Sequence, residues 1–145
     1  MLFLLGVAKI PVIGFVRPKI IVLNDERIEL IIRLRRRTKN HLKSMYFGAL
    51  AVGADVVAGL HVFYFAQKEG VKVSFAFKSM KADFIQRAET NTRFICNQGA
   101  LIKSVLKASR DTNERINQII PVIALNTNGE EVARFEMEIS VRVRT

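Results

Sequence analysis

The chain of 145 residues contains a single cysteine, Cys96, and this scarcity excludes several kinds of protein. One cysteine cannot form an internal disulfide, and no spacing of cysteine and histidine typical of a metal site occurs. We interpret Cys96 as a reduced core thiol and expect a cytoplasmic protein. The sequence also lacks a GxxxxGKS phosphate loop and any supported Ser-His-Asp or Cys-His arrangement. We therefore expect no metal ion and no cofactor.

Acidic residues are also scarce, with 13 Asp and Glu against 23 Lys and Arg, so the net charge is +10. Such a charge favours anionic partners: nucleic acid, a membrane surface, or a phosphorylated ligand such as a nucleotide or coenzyme A. Half of the residues are hydrophobic, which is typical of a folded globular protein. We expect a single domain over residues 1–145, long enough to bury roughly 68–70% of its unfolded surface.

Two long apolar stretches resemble targeting or membrane segments. Met1–Phe15 lacks the basic start of a signal peptide and contains Lys9 and Pro11. Met45–Ala66 is long enough to span a bilayer, but Asp55 near its middle would cost about 2.5–3.5 kcal/mol there. We expect no membrane span and interpret this stretch as a helix buried in a globular fold. A role of Met1–Phe15 at a membrane surface is a weaker alternative.

Hydrophobic periodicity predicts one long helix, one shorter helix and several strands. The long helix is predicted from Met45 to Gln67, with Ser44 as its N-cap and Glu69-Gly70 at its end. The second helix is predicted over 97–110, with a polar loop over 111–118. Strands are predicted over 24–35, 71–78, 92–96, 119–125 and 132–143, the last two joined by an Asn-Gly turn at Asn128-Gly129. The order predicts an α+β domain in which a curved antiparallel sheet wraps a long central helix.

The segment around the start of the long helix carries a motif. Asn40 precedes Tyr46-Phe47-Gly48, and Asp55 follows Gly48 by seven residues. The chain resembles the hotdog-fold acyl-CoA thioesterase superfamily, in particular its phenylacetate-degradation-type branch and an uncharacterised thioesterase-like family beside it. In that branch His-Gly-Gly stands where this chain has Tyr46-Phe47-Gly48. The resemblance extends from about Ile13 to Arg144.

The resemblance implies catalytic roles for three residues. Asp55 would act as general base or nucleophile on a substrate bound at a subunit interface, and Asn40 would help to place the carbonyl or the water. A helix N-terminus supplies unpaired N–H groups, so we expect the backbone N–H of Gly48 to bind the oxyanion. The structural alternative is that Asp55 caps, or hydrogen-bonds to, a neighbouring loop or subunit.

The resemblance also implies a substrate-binding region. Tyr46 and Phe47 would border the acyl pocket, although an aromatic wedge in the core explains Tyr46 equally well. The stretch DFIQRAE at 83–89 looks like a family strand that ends in Arg-Pro-Ala, and it contributes Phe84. Lys78, Lys81 and Arg87 would line the pantetheine channel. Phosphates of coenzyme A are also a suitable ligand for the basic residues between Arg33 and Lys43.

Two functions are compatible with these residues. An acyl-CoA thioesterase, as a homodimer or homotetramer, is favoured by the spacing of Asn40 and Asp55. A non-catalytic hotdog module that binds acyl chains or acyl-carrier partners is favoured by the missing His-Gly-Gly. Nucleic acid binding is not expected, because the basic run lacks interleaved aromatic residues. We interpret His41 as a solvated loop residue and His61 as a hydrogen-bonded core residue.

Overall fold

The computed structural model describes residues 10–144. It contains helices α1 (Pro11–Val16), α2 (Phe47–Glu69) and α3 (Gly99–Thr112), and strands β1 (Lys19–Leu23), β2 (Ile28–Ile32), β3 (Lys72–Phe84), β4 (Thr92–Cys96), β5 (Ile116–Leu125) and β6 (Glu131–Arg144). The strands form one six-stranded antiparallel sheet in the order β1-β2-β4-β5-β6-β3. Helix α2 packs across this sheet, which confirms the expected hotdog arrangement of a long central helix on an antiparallel sheet.

Helix α2 is apolar nearly all round because the fold buries most of its sides. By length and composition it could span a membrane, but 72% of its most apolar window is buried inside the folded chain. Its residues Gly53 and Gly59 lie under aromatic rings of β4 and β3: a Cβ at Gly53 would meet the Phe94 ring at 2.5 Å. Small residues therefore let the helix approach the sheet closely.

The two ends of α2 differ in how well the sequence predicted them. The helix ends at Gly70, which has the left-handed φ of 67° common at helix C-termini, as predicted. Its start was predicted wrongly: the N-cap residue is Tyr46, not Ser44. The Ser44 hydroxyl instead donates to Asn40 Oδ1 at 3.2 Å, so it stabilises the preceding loop.

Other boundaries also differ from the sequence prediction. Strand β3 continues to Phe84 after a bulge between Phe77 and Ser79, where the alternation of polar and apolar residues breaks. The predicted loop over 111–118 is reduced to residues 113–115, because α3 continues to Thr112 and β5 starts at Ile116. Helix α1 and strand β1 were not predicted, since each is too short to show a period.

His61 is fully buried in α2 and is expected to make the stability of the protein depend on pH. Its Nε2 lies 2.9 Å from the carbonyl oxygen of Asn24, while Nδ1 has no partner among the described residues. Burial lowers the pKa of His61 below its ordinary value of 6.5. The unfolded chain therefore binds the proton more readily, so the free energy of unfolding should fall as the pH drops below 6.5.

The variant His61→Gln keeps a donor for the carbonyl of Asn24. Its free energy of unfolding should depend less steeply on pH than that of the wild type. Urea unfolding at a series of pH values measures this difference. Equal slopes for both proteins would contradict it.

Candidate functional site

The start of α2 is held by the two segments beside it. The N–H of Tyr46 donates to the carbonyl of Thr38 at 2.8 Å, and the N–H of Met45 donates to the carbonyl of Ala88 at 2.8 Å. Thr38 belongs to the loop after β2, and Ala88 belongs to the segment between β3 and β4. The first turn of the helix is therefore fixed from both sides by backbone hydrogen bonds.

Two backbone donors of the first turn are unpaired. The carbonyl of Tyr46 accepts from the N–H groups of Ala49 at 2.9 Å and Leu50 at 3.2 Å. Within residues 10–144, the N–H groups of Phe47 and Gly48 have no acceptor, and Tyr46 makes no side-chain cap. Free donors at a helix N-terminus attract negative charge. This end of α2 can bind an oxyanion.

Gly48 lies directly beside the Tyr46 ring. A Cβ at this position would lie 2.2 Å from Cε2 of the Tyr46 ring. The Tyr46 ring therefore covers one side of Gly48, and any larger residue would displace it. Tyr46 is a half-exposed wall beside the helix end, with 48% of its surface exposed, and not a wedge in the core.

Asn40 organises the loop that leads into the helix. Its Oδ1 accepts from the N–H of Leu42 at 2.8 Å and from the N–H of Ser44 at 3.1 Å. The Nδ2 group has no acceptor among the described residues, so its two N–H donors are free. Asn40 therefore combines a structural oxygen with an amide that can donate to a ligand.

A hollow of about 500 Å³ lies beside the helix end. Aromatic rings form much of its wall: the centroids of Tyr46 and Phe47 are 4.8 Å apart, and those of Phe47 and Phe84 are 6.3 Å apart. The other lining residues that matter here are Asn40, His41, Leu50 and Arg87. The structure thus brings together five of the predicted site residues at one apolar hollow with polar groups at its rim.

Asp55 lies in a second hollow of about 370 Å³. Its neighbours there are Lys78, Ser79 and Met80 of β3 and Met137 of β6, with Phe77 and two residues of α2. Burial alone raises the pKa of Asp55 above its ordinary value of 3.8. No hydrogen-bond partner for its carboxylate occurs within residues 10–144, so Asp55 does not cap a loop of its own described chain. A half-buried carboxylate without a partner is available for chemistry.

The two hollows are separate along the same face of α2. Seven residues make almost two full turns, so Gly48 and Asp55 face the same way but are about 10 Å apart along the helix axis. Two predicted residues line neither hollow: Gly48, in the first turn of α2, and Lys81, which is exposed on β3 opposite Glu136. The predicted site residues therefore form two groups and not one.

Sequence reasoning missed the residues that complete both hollows. Met80 and Met137 are cross-strand partners in the β3–β6 pair, and only that register brings them together under Asp55. Leu42 and Gln86 reach the first hollow from two loops. Nothing in the local pattern of these residues marks them as site residues. Among residues 10–144, no cluster of His, Cys, Asp or Glu could hold a metal ion.

Comparison with known proteins identifies solved structures that share this fold. A search of curated proteins finds no match. A Pseudomonas aeruginosa protein of unknown function, described as a probable thioesterase, is 19% identical with a TM-score of 0.80, over 97% of this chain and 93% of that one. A Chlorobaculum tepidum protein of unknown function is 13% identical with a TM-score of 0.84, over 97% and 91%.

A thioesterase from Haemophilus influenzae is 11% identical with a TM-score of 0.68, over 90% of this chain and 81% of that chain. At such identities these similarities show the fold alone, and that fold is the hotdog fold of thioesterase-like proteins, as the resemblance implied. A family model described as a domain of unknown function, DUF4442, matches residues 1–141. The chain therefore belongs to the DUF4442 family and has a thioesterase-like hotdog fold.

Proposed function

We propose that this protein hydrolyses acyl-CoA thioesters at a site that two subunits form together. The observation that carries the proposal is the pairing of free amides at the start of α2 with an unpartnered, half-buried carboxylate two turns along it. Both groups are needed for attack of water on a thioester: one binds the oxyanion and one removes a proton.

The distance between these groups supports a site across a dimer interface. The reacting carbon must lie about 3 Å from both the oxyanion donors and the attacking oxygen. Gly48 and Asp55 of one chain are about 10 Å apart along α2, too far to act on the same carbonyl. Asp55 would therefore act with the helix end of a second subunit.

Strand β3 supplies a surface for such a dimer. It is a 13-residue edge strand that pairs only with β6 among the described residues. Long unpaired edges are generally covered or paired in native proteins. Phe75 and Phe77 on this strand are only half-buried, with ring centroids 5.0 Å apart. A second copy that pairs with β3 would extend the sheet and cover these rings.

The chemistry follows from the positions of the groups. A water oxygen attacks the thioester carbonyl carbon, and Asp55 takes the proton from that water. The carbonyl oxygen becomes an oxyanion that accepts hydrogen bonds from the Gly48 N–H and the free Asn40 amide. When the tetrahedral intermediate collapses, the C–S bond breaks and the thiolate of coenzyme A takes the proton from Asp55. The raised pKa of Asp55 suits a general base better than an ordinary carboxylate.

The substrate would occupy both hollows. The acyl group fits the apolar hollow with Tyr46, Phe47 and Phe84 in its wall. The phosphates of coenzyme A would be attracted by Lys78, Lys81 and Arg87, all of which are exposed.

The buried Cys96, whose pKa burial raises to about 11, stays protonated and is consistent with a protein of the cytoplasm.

A second candidate function is a non-catalytic module that binds acyl chains or acyl-carrier partners. Tyr46 and Phe47 in place of His-Gly favour it, because two aromatic rings build a binding surface and no reacting group.

The release of free thiol from short, aromatic and long acyl-CoAs separates these functions. We expect turnover of at least one class, with the acyl length limited by the apolar hollow. Tight binding of the same acyl-CoAs without thiol release would instead support the binding module.

A further inference from the structure

An exposed apolar ridge lies on α1, away from both hollows. Ile13 and Val16 anchor this short helix in the core, with 4% and 7% of their surfaces exposed. On its other side Val12 and Phe15, three residues apart, expose 59% and 60% of their surfaces. Ile10, just before the helix, is 42% exposed. These three large apolar side chains therefore contribute little to the core.

Six cationic side chains lie next to this ridge. A hollow of about 320 Å³ is lined by Val16, Thr38 and the cations Arg17, Lys19, Arg33, Arg35 and Arg37. A neighbouring hollow is lined by Phe15 together with Arg35, Arg36 and Arg37. Because Phe15 and these arginines line the neighbouring hollow together, the ridge and the arginines are contiguous. We call the surface formed by Ile10, Val12, Phe15, Arg17, Lys19, Arg33, Arg35, Arg36 and Arg37 the basic-apolar face.

The positive charge of the basic-apolar face is not neutralised by the chain. Residues 1–24 and 30–54 contain no Asp or Glu. Within residues 10–144, none of the six cations forms a salt bridge. The neighbouring segment 85–91, which contacts this loop through the Leu34–Asn91 hydrogen bond, carries one acid, Glu89. The cations are therefore available to an anionic partner.

The basic loop is held in place by a buried threonine. The Thr38 hydroxyl accepts from the Arg35 N–H at 2.9 Å and donates to the Arg33 carbonyl at 2.8 Å. Thr38 exposes only 1% of its surface. These bonds fix the backbone from which three of the arginines project, so the cluster is a built feature of the fold.

We propose that the basic-apolar face binds the surface of a membrane that contains anionic lipids. Arginine and lysine side chains would bind the headgroup phosphates, while Ile10, Val12 and Phe15 would insert among the upper acyl chains. A nucleic acid suits the face less well, because Phe15 is its single aromatic ring for base stacking, while Ile10 and Val12 are aliphatic. The six-residue α1 is too short to span a bilayer, so the contact is peripheral.

The sequence before α1 agrees with this proposal. Residues 1–9, MLFLLGVAK, lie outside the described part of the chain, but they are apolar apart from Lys9. Residues of both kinds strengthen attachment to an anionic bilayer.

Sedimentation of the full chain with lipid vesicles tests the proposal. Neutral vesicles contain phosphatidylcholine alone, and anionic vesicles contain phosphatidylcholine with phosphatidylglycerol. We expect binding to the anionic vesicles only. Each cation near such a surface strengthens binding about five-fold, so Arg35→Gln/Arg36→Gln/Arg37→Gln should weaken it by about a hundred-fold. The matched control Lys103→Gln/Lys107→Gln/Arg110→Gln, which removes the same charge from the exposed side of α3, should retain most of the binding.

A second variant separates membrane insertion from simple attraction between charges. Val12→Ser/Phe15→Ser alters only exposed side chains, so it should fold normally, and it should weaken vesicle binding by about ten-fold or more. Three results would overturn the proposal. The first is no binding of the wild type to anionic vesicles. The second is a loss of binding in the α3 control equal to the loss in the Arg35→Gln/Arg36→Gln/Arg37→Gln variant. The third is full vesicle binding by the Val12→Ser/Phe15→Ser variant. The last would show a general site for polyanions.

Discussion

Replacing Asp55 with asparagine is expected to lower kcat for acyl-CoA hydrolysis by about 10²–10⁴-fold. The amide has the shape of the carboxylate but cannot take a proton from water. The variant should fold as well as the wild type, because burial raises the pKa of Asp55 and so opposes its charged form. Rates of thiol release and a thermal unfolding curve for both proteins measure the two effects. Asp111→Asn, at an exposed carboxylate of α3, is the matched control and should keep full activity.

The pH dependence of the wild type should agree with this role. Asp55 acts only as the carboxylate, so kcat/KM should fall as the pH drops through a pKa above 3.8. The stability should change with pH in the opposite direction. Because the pKa of Asp55 is raised in the folded protein, the unfolded chain loses this proton at a lower pH. The free energy of unfolding should therefore fall as the pH rises through that range. Asp55→Asn should remove this loss. Equal rates of hydrolysis for the variant and the wild type at all pH values would exclude Asp55 from the mechanism.

Replacing Asn40 with aspartate is expected to lower kcat by about 10²–10³-fold, the usual effect of one oxyanion donor. The new carboxylate keeps an oxygen that can accept from Leu42 and Ser44, so the loop should persist. It loses the free amide donors and places negative charge where the oxyanion forms. Steady-state kinetics on the best acyl-CoA should show the loss in kcat.

Asn40→Ala is the useful comparison, because it removes the structural oxygen as well and should also lower the melting temperature. If Asn40→Ala lost stability while Asn40→Asp kept both its stability and its activity, Asn40 would be a loop residue only.

The sequence predicted the elements whose patterns are long or regular. Strand β4, from Thr92 to Cys96, has the predicted bounds, and α2 could be recognised because an apolar run of this length needs cover on most sides. The prediction of β3 stopped at Lys78, because the bulge between Phe77 and Ser79 changes which face each following residue occupies. Residues Asp111 and Thr112 are polar, yet they continue α3, and the Thr112 hydroxyl donates to the Ala108 carbonyl at 2.7 Å.

The candidate site was predictable only in part. The spacing of Asn40, Gly48 and Asp55 comes from one continuous segment, so a motif can reveal it. The role of the Asn40 oxygen in its own loop, and the place of Met137 beside Asp55, depend on contacts that no local pattern records. The separation of the two hollows required the helix geometry of the folded chain.

A measurement on hybrid dimers tests the two-subunit site most directly. Asn40→Asp and Asp55→Asn chains are co-expressed, and light scattering confirms that the product is dimeric. In a hybrid dimer, the Asp55 of one chain meets the Asn40 of the other, so one of its two sites is intact. With random assortment about half of the dimers are hybrids, so we expect about a quarter of the wild-type rate.

The control pairs an Asn40→Asp chain with a chain that carries both substitutions, and it should stay as inactive as Asn40→Asp alone. We expect recovery of activity in the hybrid and none in the control, as a two-subunit site requires. Hybrid dimers that form but hydrolyse acyl-CoA no faster than either single variant would contradict it.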